Sequence, residues 1–199
     1  MKKQQALIFI KPDAVQRGLI GKIIKRFEQV GLKIIAFKFI WATKEQVSNH
    51  YPSYDAWFQK VGERTLNNYK NKGLDAKKIL GTNNAIAIGK LVKSWLINYI
   101  CQGPILCAVV EGYDVISIIR KLCGDTNPVN ALPGTIRGDF TSDSIELANH
   151  FNRPIHNIIH ASDNLDDAKK EIATWFLPEE IFSYQRVDEE LIFADRHNP

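Results

Sequence analysis

Ala6–Ile10 is an unbroken apolar run, and it ends abruptly in Lys11-Pro12-Asp13. A strand that is apolar at every position cannot keep one face in water. It belongs in the middle of a sheet that is covered on both sides. Pro12 lacks the N–H needed to continue a ladder, so the strand stops there and Asp13 begins a turn or short helix. Ile105–Val110 has the same character, and so does the Ile-rich run Ile155–His160. Leu32–Trp41 reads as a longer strand with Lys33 and Lys38 as its charged interruptions.

Helical stripes lie between these runs. Ile20, Ile23, Ile24, Phe27 and Val30 share one helical face, which Gly31 closes. Thr43 caps a helix that runs to about Tyr51 and is stopped by Pro52. Leu91–Cys101 is amphipathic and ends at Gly103-Pro104, and Tyr113–Cys123 carries another apolar stripe. Further helices are expected over Ser142–Phe151 and from the His160 strand to Phe176, with a last helical turn at Pro178-Glu179-Glu180. Gly124–Asp139 reads as a long loop without secondary structure of its own, a length usually kept for function. The order of elements predicts an α+β chain: a ferredoxin-like split βαβ sandwich, with a four-stranded antiparallel sheet and helices. At 199 residues the chain fits a single domain over 1–199. Residues 53–90, with mixed polar and aromatic character, form an inserted helical segment within it.

The chemistry centres on His160. It ends an apolar run, just before a helix for which Ser162 or Asp163 is a suitable N-cap and in which Asp166 and Asp167 occupy the first turn. A histidine there can act as a nucleophile if a partner fixes its tautomer, and Glu171, three turns along the helix, is a candidate partner. On spacing alone an ordinary packed or exposed histidine is the commoner case. A zinc site built on His150, His156 and His160 does not, because residues four apart on a strand are separated by about 13 Å. The net charge of +4 suits a polyanionic ligand without selecting one. Cys101, Cys107 and Cys123 show no CxxC spacing and read as buried free thiols of a reducing compartment. The N-terminal apolar run is too short for a signal peptide, and no segment approaches the about 20 residues needed to span a bilayer. A cytoplasmic protein is expected.

An ordered set of motifs then narrows the reading. It comprises Lys11-Pro12-Asp13, Arg17-Gly18-Leu19-Ile20-Gly21, His50-Tyr51, Gln102-Gly103-Pro104, Glu111-Gly112 and Arg120. It continues through Gly124-Asp125-Thr126-Asn127-Pro128, Pro133 to Phe140, and Asn157-Ile158-Ile159-His160-Ala161-Ser162-Asp163. With these motifs in this order, the chain resembles nucleoside diphosphate kinase. The stretches without counterparts are about 53–90 and about 141–154.

The resemblance implies a transferase of nucleotide metabolism. Its members pass the γ-phosphate of a nucleoside triphosphate such as ATP to a nucleoside diphosphate by a ping-pong mechanism through phosphohistidine, maintaining NTP and dNTP pools. His160 is then the nucleophile, through Nδ1, and Glu171 fixes the ring directly or through Ser162. Arg120, Arg137, Thr126 and Tyr51 match positions for phosphate contacts, and Lys11 and Asn157 match positions for the ribose hydroxyls and nearby phosphate. Phe58, ahead of Trp57, is the expected aromatic against the base, and Leu96 the second base contact. Mg²⁺ rides on the β- and γ-phosphates with no direct protein ligand, Asp163 reaching it through water. Family members form dimers that assemble into tetramers or hexamers, so a homo-oligomer is expected, without membrane or obligate nucleic-acid partners. Asn127, Pro128 and Pro133 shape a loop that in the family meets neighbouring subunits.

One departure sits beside the nucleophile: the family's His-Gly-Ser-Asp is His160-Ala161-Ser162-Asp163 here. Alanine is penalised only where the turn needs a positive φ. The stretches 53–90 and 141–154 are expected to flank the nucleotide cleft and to alter base preference, cover or subunit contacts. Two rival readings fare worse. An RNA-binding sheet would expose aromatics on its central strands, which are aliphatic here. A scaffold that had lost catalysis would lack His160, Lys11 or an arginine.

Overall fold

The computed structural model describes residues 2–193. Its sheet has the order β2-β3-β1-β4, with every neighbouring pair antiparallel. The strands are β1 Gln4–Ile10, β2 Lys33–Ile40, β3 Ile105–Gly112 and β4 Ile159–Ala161. The helices are α1 Pro12–Gln16, α2 Ile20–Glu28, α3 Lys44–His50, α4 Asp55–Asn71, α5 Ala76–Leu80, α6 Ala85–Cys101, α7 Val115–Cys123, α8 Ile136–Phe140, α9 Ile145–His150, α10 Leu165–Trp175 and α11 Glu189–Phe193. This is the antiparallel α+β sandwich that the order of elements predicts.

The unbroken run in β1 is explained by what covers it. Ala6, Ile8 and Ile10 join Ile23 and Phe27 of α2 and Val115 and Ile119 of α7 in one core layer. Leu7 and Phe9 turn the other way, into a second layer with Val47 of α3, Tyr99 and Ile100 of α6, and Ile172 and Trp175 of α10. Successive side chains of a strand point to opposite faces, so two covered faces require apolar residues throughout. Local signals set the helix ends. Thr43 and Gln46 form a reciprocal capping box at α3, and Asn84 caps α6 by accepting from Ala87 N–H.

Several elements differ from their sequence reading. Helix α6 begins at Ala85, after the Asn84 cap, rather than at Leu91; Gly89 and Lys90 interrupt the apolar periodicity that would mark its first turns in the sequence. The segment 124–139 is not unstructured: Pro128–Asn130 forms a 3₁₀ turn and α8 begins at Ile136, capped by Thr135. Helix α9 covers only Ile145–His150 of the expected span, capped by Ser144. No helix among the described residues is long and apolar enough to cross a membrane.

Helices α4 and α6 pack backbone to backbone through two glycines. A Cβ on Gly62 would fall 1.8 Å from the Ala85 carbonyl oxygen, and one on Gly89 would fall 2.1 Å from that of Phe58. The segment 53–90 is thereby docked on the helix that borders the site. It also touches the segment 141–154: Tyr69 Oη donates to the Asn149 carbonyl at 3.2 Å, and Lys72 lies 3.6 Å from Glu146. Gly89→Ala forces these backbones apart, so it is expected to cost about 1–3 kcal/mol and to lower Tm by several degrees in a thermal melt. An unchanged Tm would contradict the close packing.

Candidate active site

The Ile155–His160 run is not one strand. The Asn157 carbonyl accepts from Ile159 N–H at 2.7 Å, closing a γ-turn around Ile158 at φ 60°. That φ is unfavourable for a β-branched residue, and such turns are rare and strained. The surroundings hold the strain in place. Ile158 is fully buried, and its carbonyl accepts from Lys11 N–H at 2.8 Å. Arg137 clamps both flanks, donating from Nε to Asn157 O at 3.2 Å and from Nη2 to Ile159 O at 2.8 Å, while Nη1 reaches Gly124 O at 2.7 Å. Residues three apart on a regular strand face opposite sides. The turn cancels that rule, and both Asn157 and His160 line one cavity.

His160 sits in β4, opposite Phe9 of β1. Its ring stacks on Phe9 at 4.7 Å and meets the edge of His50 at 4.5 Å. Nε2 lies 3.0 Å from Glu171 Oε1. The other carboxylate oxygen accepts from Ser162 Oγ at 2.5 Å, and Ser162 Oγ itself accepts from Leu7 N–H at 3.1 Å. With Nε2–H directed at the carboxylate, Nδ1 keeps its lone pair. Burial, reinforced by Lys11, Arg137 and Arg120 against Asp163, pushes the His160 pKa down to about 3, so the ring is neutral near pH 7. Burial raises the Glu171 carboxyl above its ordinary value, opposed by His50 and Ser162.

Both residues expected to cap α10 are used elsewhere. Ser162 holds Glu171, and Asp163 is paired with Arg120. The cap is Asn164, which accepts from the N–H groups of Asp166 and Asp167 at 3.0 and 2.9 Å. Ala161 lies in β4 without a positive φ, so its methyl group brings no backbone penalty.

The rest of the cavity, about 220 Å³ in volume, is cationic on one side. Lys11, Tyr51, Leu96, Arg120, Thr126 and Arg137 line it with Asn157, His160 and Asp163. Lys11 Nζ donates to Asn157 Oδ1 at 2.5 Å, and Asn157 Nδ2 donates to the Thr126 carbonyl at 2.8 Å. Burial first, and Arg137 second, lower the Lys11 pKa to about 7, with Asp13 opposing. Burial raises the Tyr51 phenol, which stays protonated as a donor. A neutral imidazole faces a wall of cationic donors, which is what attack on a bound phosphate requires.

Phe58 is not among the lining residues. It is 7% exposed, packed beside Trp57 with the Lys90 ammonium 5.7 Å from its ring centre. The close α4–α6 contact draws it into the helix interface, so it offers no face to a base. No lining residue comes from 53–90 or 141–154 either.

His50 was legible only as the neighbour of Tyr51. It is buried at the end of α3, and its Nδ1 accepts from Trp175 Nε1–H at 3.2 Å. Its other nitrogen, Nε2, lies 4.0 Å from Glu171 Oε1. By spacing, His50, His160 and Glu171 form a potential metal site. The Trp175 bond argues against one, because it puts the His50 proton on Nε2 and leaves no lone pair facing the other two groups. Trp175 carried no sequence signal beyond its place on the apolar face of α10.

Comparison with known proteins identifies a family for the chain. The family model described as nucleoside diphosphate kinase matches residues 4–65 and 85–181, leaving 66–84 outside the match. A nucleoside diphosphate kinase of Pyrobaculum aerophilum is 42% identical over 181 residues, covering 91% of this chain and 99% of the relative. The crystal structure of an NDP kinase from that organism superimposes with a TM-score of 0.90 at 40% identity, covering 92% of this chain and 100% of the other. A Borrelia burgdorferi nucleoside-diphosphate kinase, solved as a transition-state mimic with vanadate and ADP, matches with a TM-score of 0.75 at 37% identity, covering 95% of this chain and 96% of the other. The chain belongs to the nucleoside diphosphate kinase family and is a phosphotransferase acting between nucleotides.

Proposed function

We propose that His160 carries the phosphoryl group between two nucleotides. The observation that carries this reading is the neutral ring held by Glu171 through Nε2 in the lining of a cationic cavity. In the first half-reaction the Nδ1 lone pair attacks the γ-phosphorus of a nucleoside triphosphate. The N–P bond forms, the bond from phosphorus to the β–γ bridging oxygen breaks, and the diphosphate leaves. In the second, a terminal oxygen of another nucleoside diphosphate attacks that phosphorus and the N–P bond breaks. Glu171, steadied by Ser162, stabilises the positive charge that develops on the ring. Lys11, Arg120 and Arg137 stabilise charge on the transferring oxygens, and Thr126, Tyr51 and Asn157 donate to phosphate or ribose oxygens. Leu96 supplies apolar contact towards the base, which lies beyond a cavity sized for phosphates.

We assign Mg²⁺ as the accompanying ion. The lining residues include one carboxylate, Asp163, and it is paired with Arg120. That composition fits a hard, oxygen-preferring ion that would be brought by the nucleotide's own phosphates, with Asp163 as the residue that would reach it through water. When bound, the ion neutralises charge on the β- and γ-phosphates. Chelation by EDTA is expected to abolish transfer from ATP to GDP, and added Mg²⁺ to restore it.

The assembly is read as a homo-oligomer built on dimers. Edge strand β2 and its end expose Phe37, Phe39 and Trp41, and the 3₁₀ turn and the loop after it expose Val129 and Leu132. Such patches mark contact surfaces. Light scattering is expected to give a multiple of the chain mass, and Phe39→Glu a smaller one. The unpaired cysteines fit the cytoplasm.

Incubation with γ-labelled ATP is expected to yield an acid-labile, alkali-stable phosphoprotein. His160→Ala should abolish both labelling and turnover, and full transfer from ATP to GDP by that variant would contradict the mechanism. The pH profile of kcat/KM, which reports the free enzyme, tests the electrostatics. Lys11 must be charged to hold phosphate, so activity should fall about tenfold per pH unit above about 7. Protonation of His160 removes its nucleophile only as pH approaches about 3. An acid limb near the ordinary histidine value would contradict the burial of the ring and the cations around it.

A further inference from the structure

Lys93 is a buried cation away from the reacting atoms. It lies on α6, 6% exposed. Its Nζ donates to the carbonyls of Ser48 and Tyr51, each at 2.9 Å, and reaches the Pro52 carbonyl at 3.3 Å and Ser53 Oγ. These neutral oxygens belong to the C-terminal end of α3 and the three residues after it. The last carbonyls of a helix have no partners within it and carry partial negative charge, so a cation there is well placed. A buried ammonium loses its hydration, and these acceptors replace it.

The consequence for the cavity follows from what lies on either side of that bolt. One end is the Tyr51 backbone, and the Tyr51 side chain lines the cavity. The other end is α6, where Leu96, one turn beyond Lys93, lines the same cavity. Two turns beyond, the Tyr99 ring lies 5.4 Å from Lys11 Nζ. We propose that Lys93 is a positioning residue: by tying the end of α3 to α6 it sets the spacing between Tyr51 and Leu96, and so the affinity for the nucleotide rather than the rate of phosphoryl transfer. This rests on the reading of the cavity as the nucleotide site.

Lys93→Gln keeps hydrogen-bonding capacity without charge, and Lys93→Met removes both. Steady-state transfer from ATP to GDP, measured at least 15 °C below each variant's Tm, separates the outcomes. The expected result is a rise in KM for GDP of about tenfold in Lys93→Met and a smaller rise in Lys93→Gln, with kcat within about threefold of wild type. If Lys93→Met does not fold, Lys93→Gln decides by the same criterion. A lowered Tm with KM within twofold of wild type would make Lys93 purely structural and overturn the proposal. A loss carried by kcat with KM unchanged would overturn it too. Failure of the underlying reading is separately visible, because His160→Ala would then remain active.

Discussion

The γ-turn at Ile158, clamped by Arg137, is the constraint on which the site depends. A β-branched residue at φ 60° costs on the order of 1–3 kcal/mol, and three guanidinium donors on backbone carbonyls can offset a cost of that size. Arg137 thus does two jobs with one group. It holds the strained chain in place, and it leaves a delocalised charge against the cavity. Lysine has no planar fork to reach the carbonyls of Asn157, Ile159 and Gly124 together. The turn also joins fold to chemistry, because Lys11 N–H completes it from the end of β1. The stop that Pro12 imposes on the central strand is what brings Lys11 there.

The second governing balance is between burial and charge. An imidazole surrounded by Lys11, Arg120 and Arg137 cannot easily take up a second proton, and burial outweighs the nearby Asp163 carboxylate. This keeps the lone pair available but leaves the ring without intrinsic orientation. Glu171 supplies the orientation, and Ser162 orients Glu171 while anchored to the Leu7 backbone. Phe9 and His50 restrict the ring from two sides. Trp175 in turn fixes the His50 tautomer, so the orientation of the ring is traced through packed side chains of β1, α3 and α10.

Part of this was legible in the sequence. The apolar runs of β1 and β3 announced strands covered on both faces, the helix after His160 made Glu171 a candidate partner, and the resemblance to a family's ordered motifs brought in Lys11, Arg120, Arg137 and Asn157. What could not be read depends on contacts between distant segments. Nothing in Ile155–His160 marks Ile158 as left-handed, since isoleucine is among the last residues expected there. The capping role passed from Ser162 and Asp163 to Asn164 because tertiary partners claimed the first two. Phe58 was placed by proximity to Tyr51 in sequence, but the glycine-mediated approach of α4 to α6 draws it into a helix interface. Lys93 shows the same limit: its surroundings in sequence are those of an ordinary amphipathic helix, and only the fold brings the end of α3 to it.

The most direct test of the account is the position of the phosphoryl group on the His160 ring. Phosphorylated enzyme labelled with ¹⁵N in its histidines, observed by ³¹P–¹⁵N correlation NMR, distinguishes the two nitrogens. With Nε2–H held by Glu171, phosphorus should be bonded to Nδ1. A bond to Nε2 would contradict the orientation of the ring and, with it, the role given to Glu171 and Ser162.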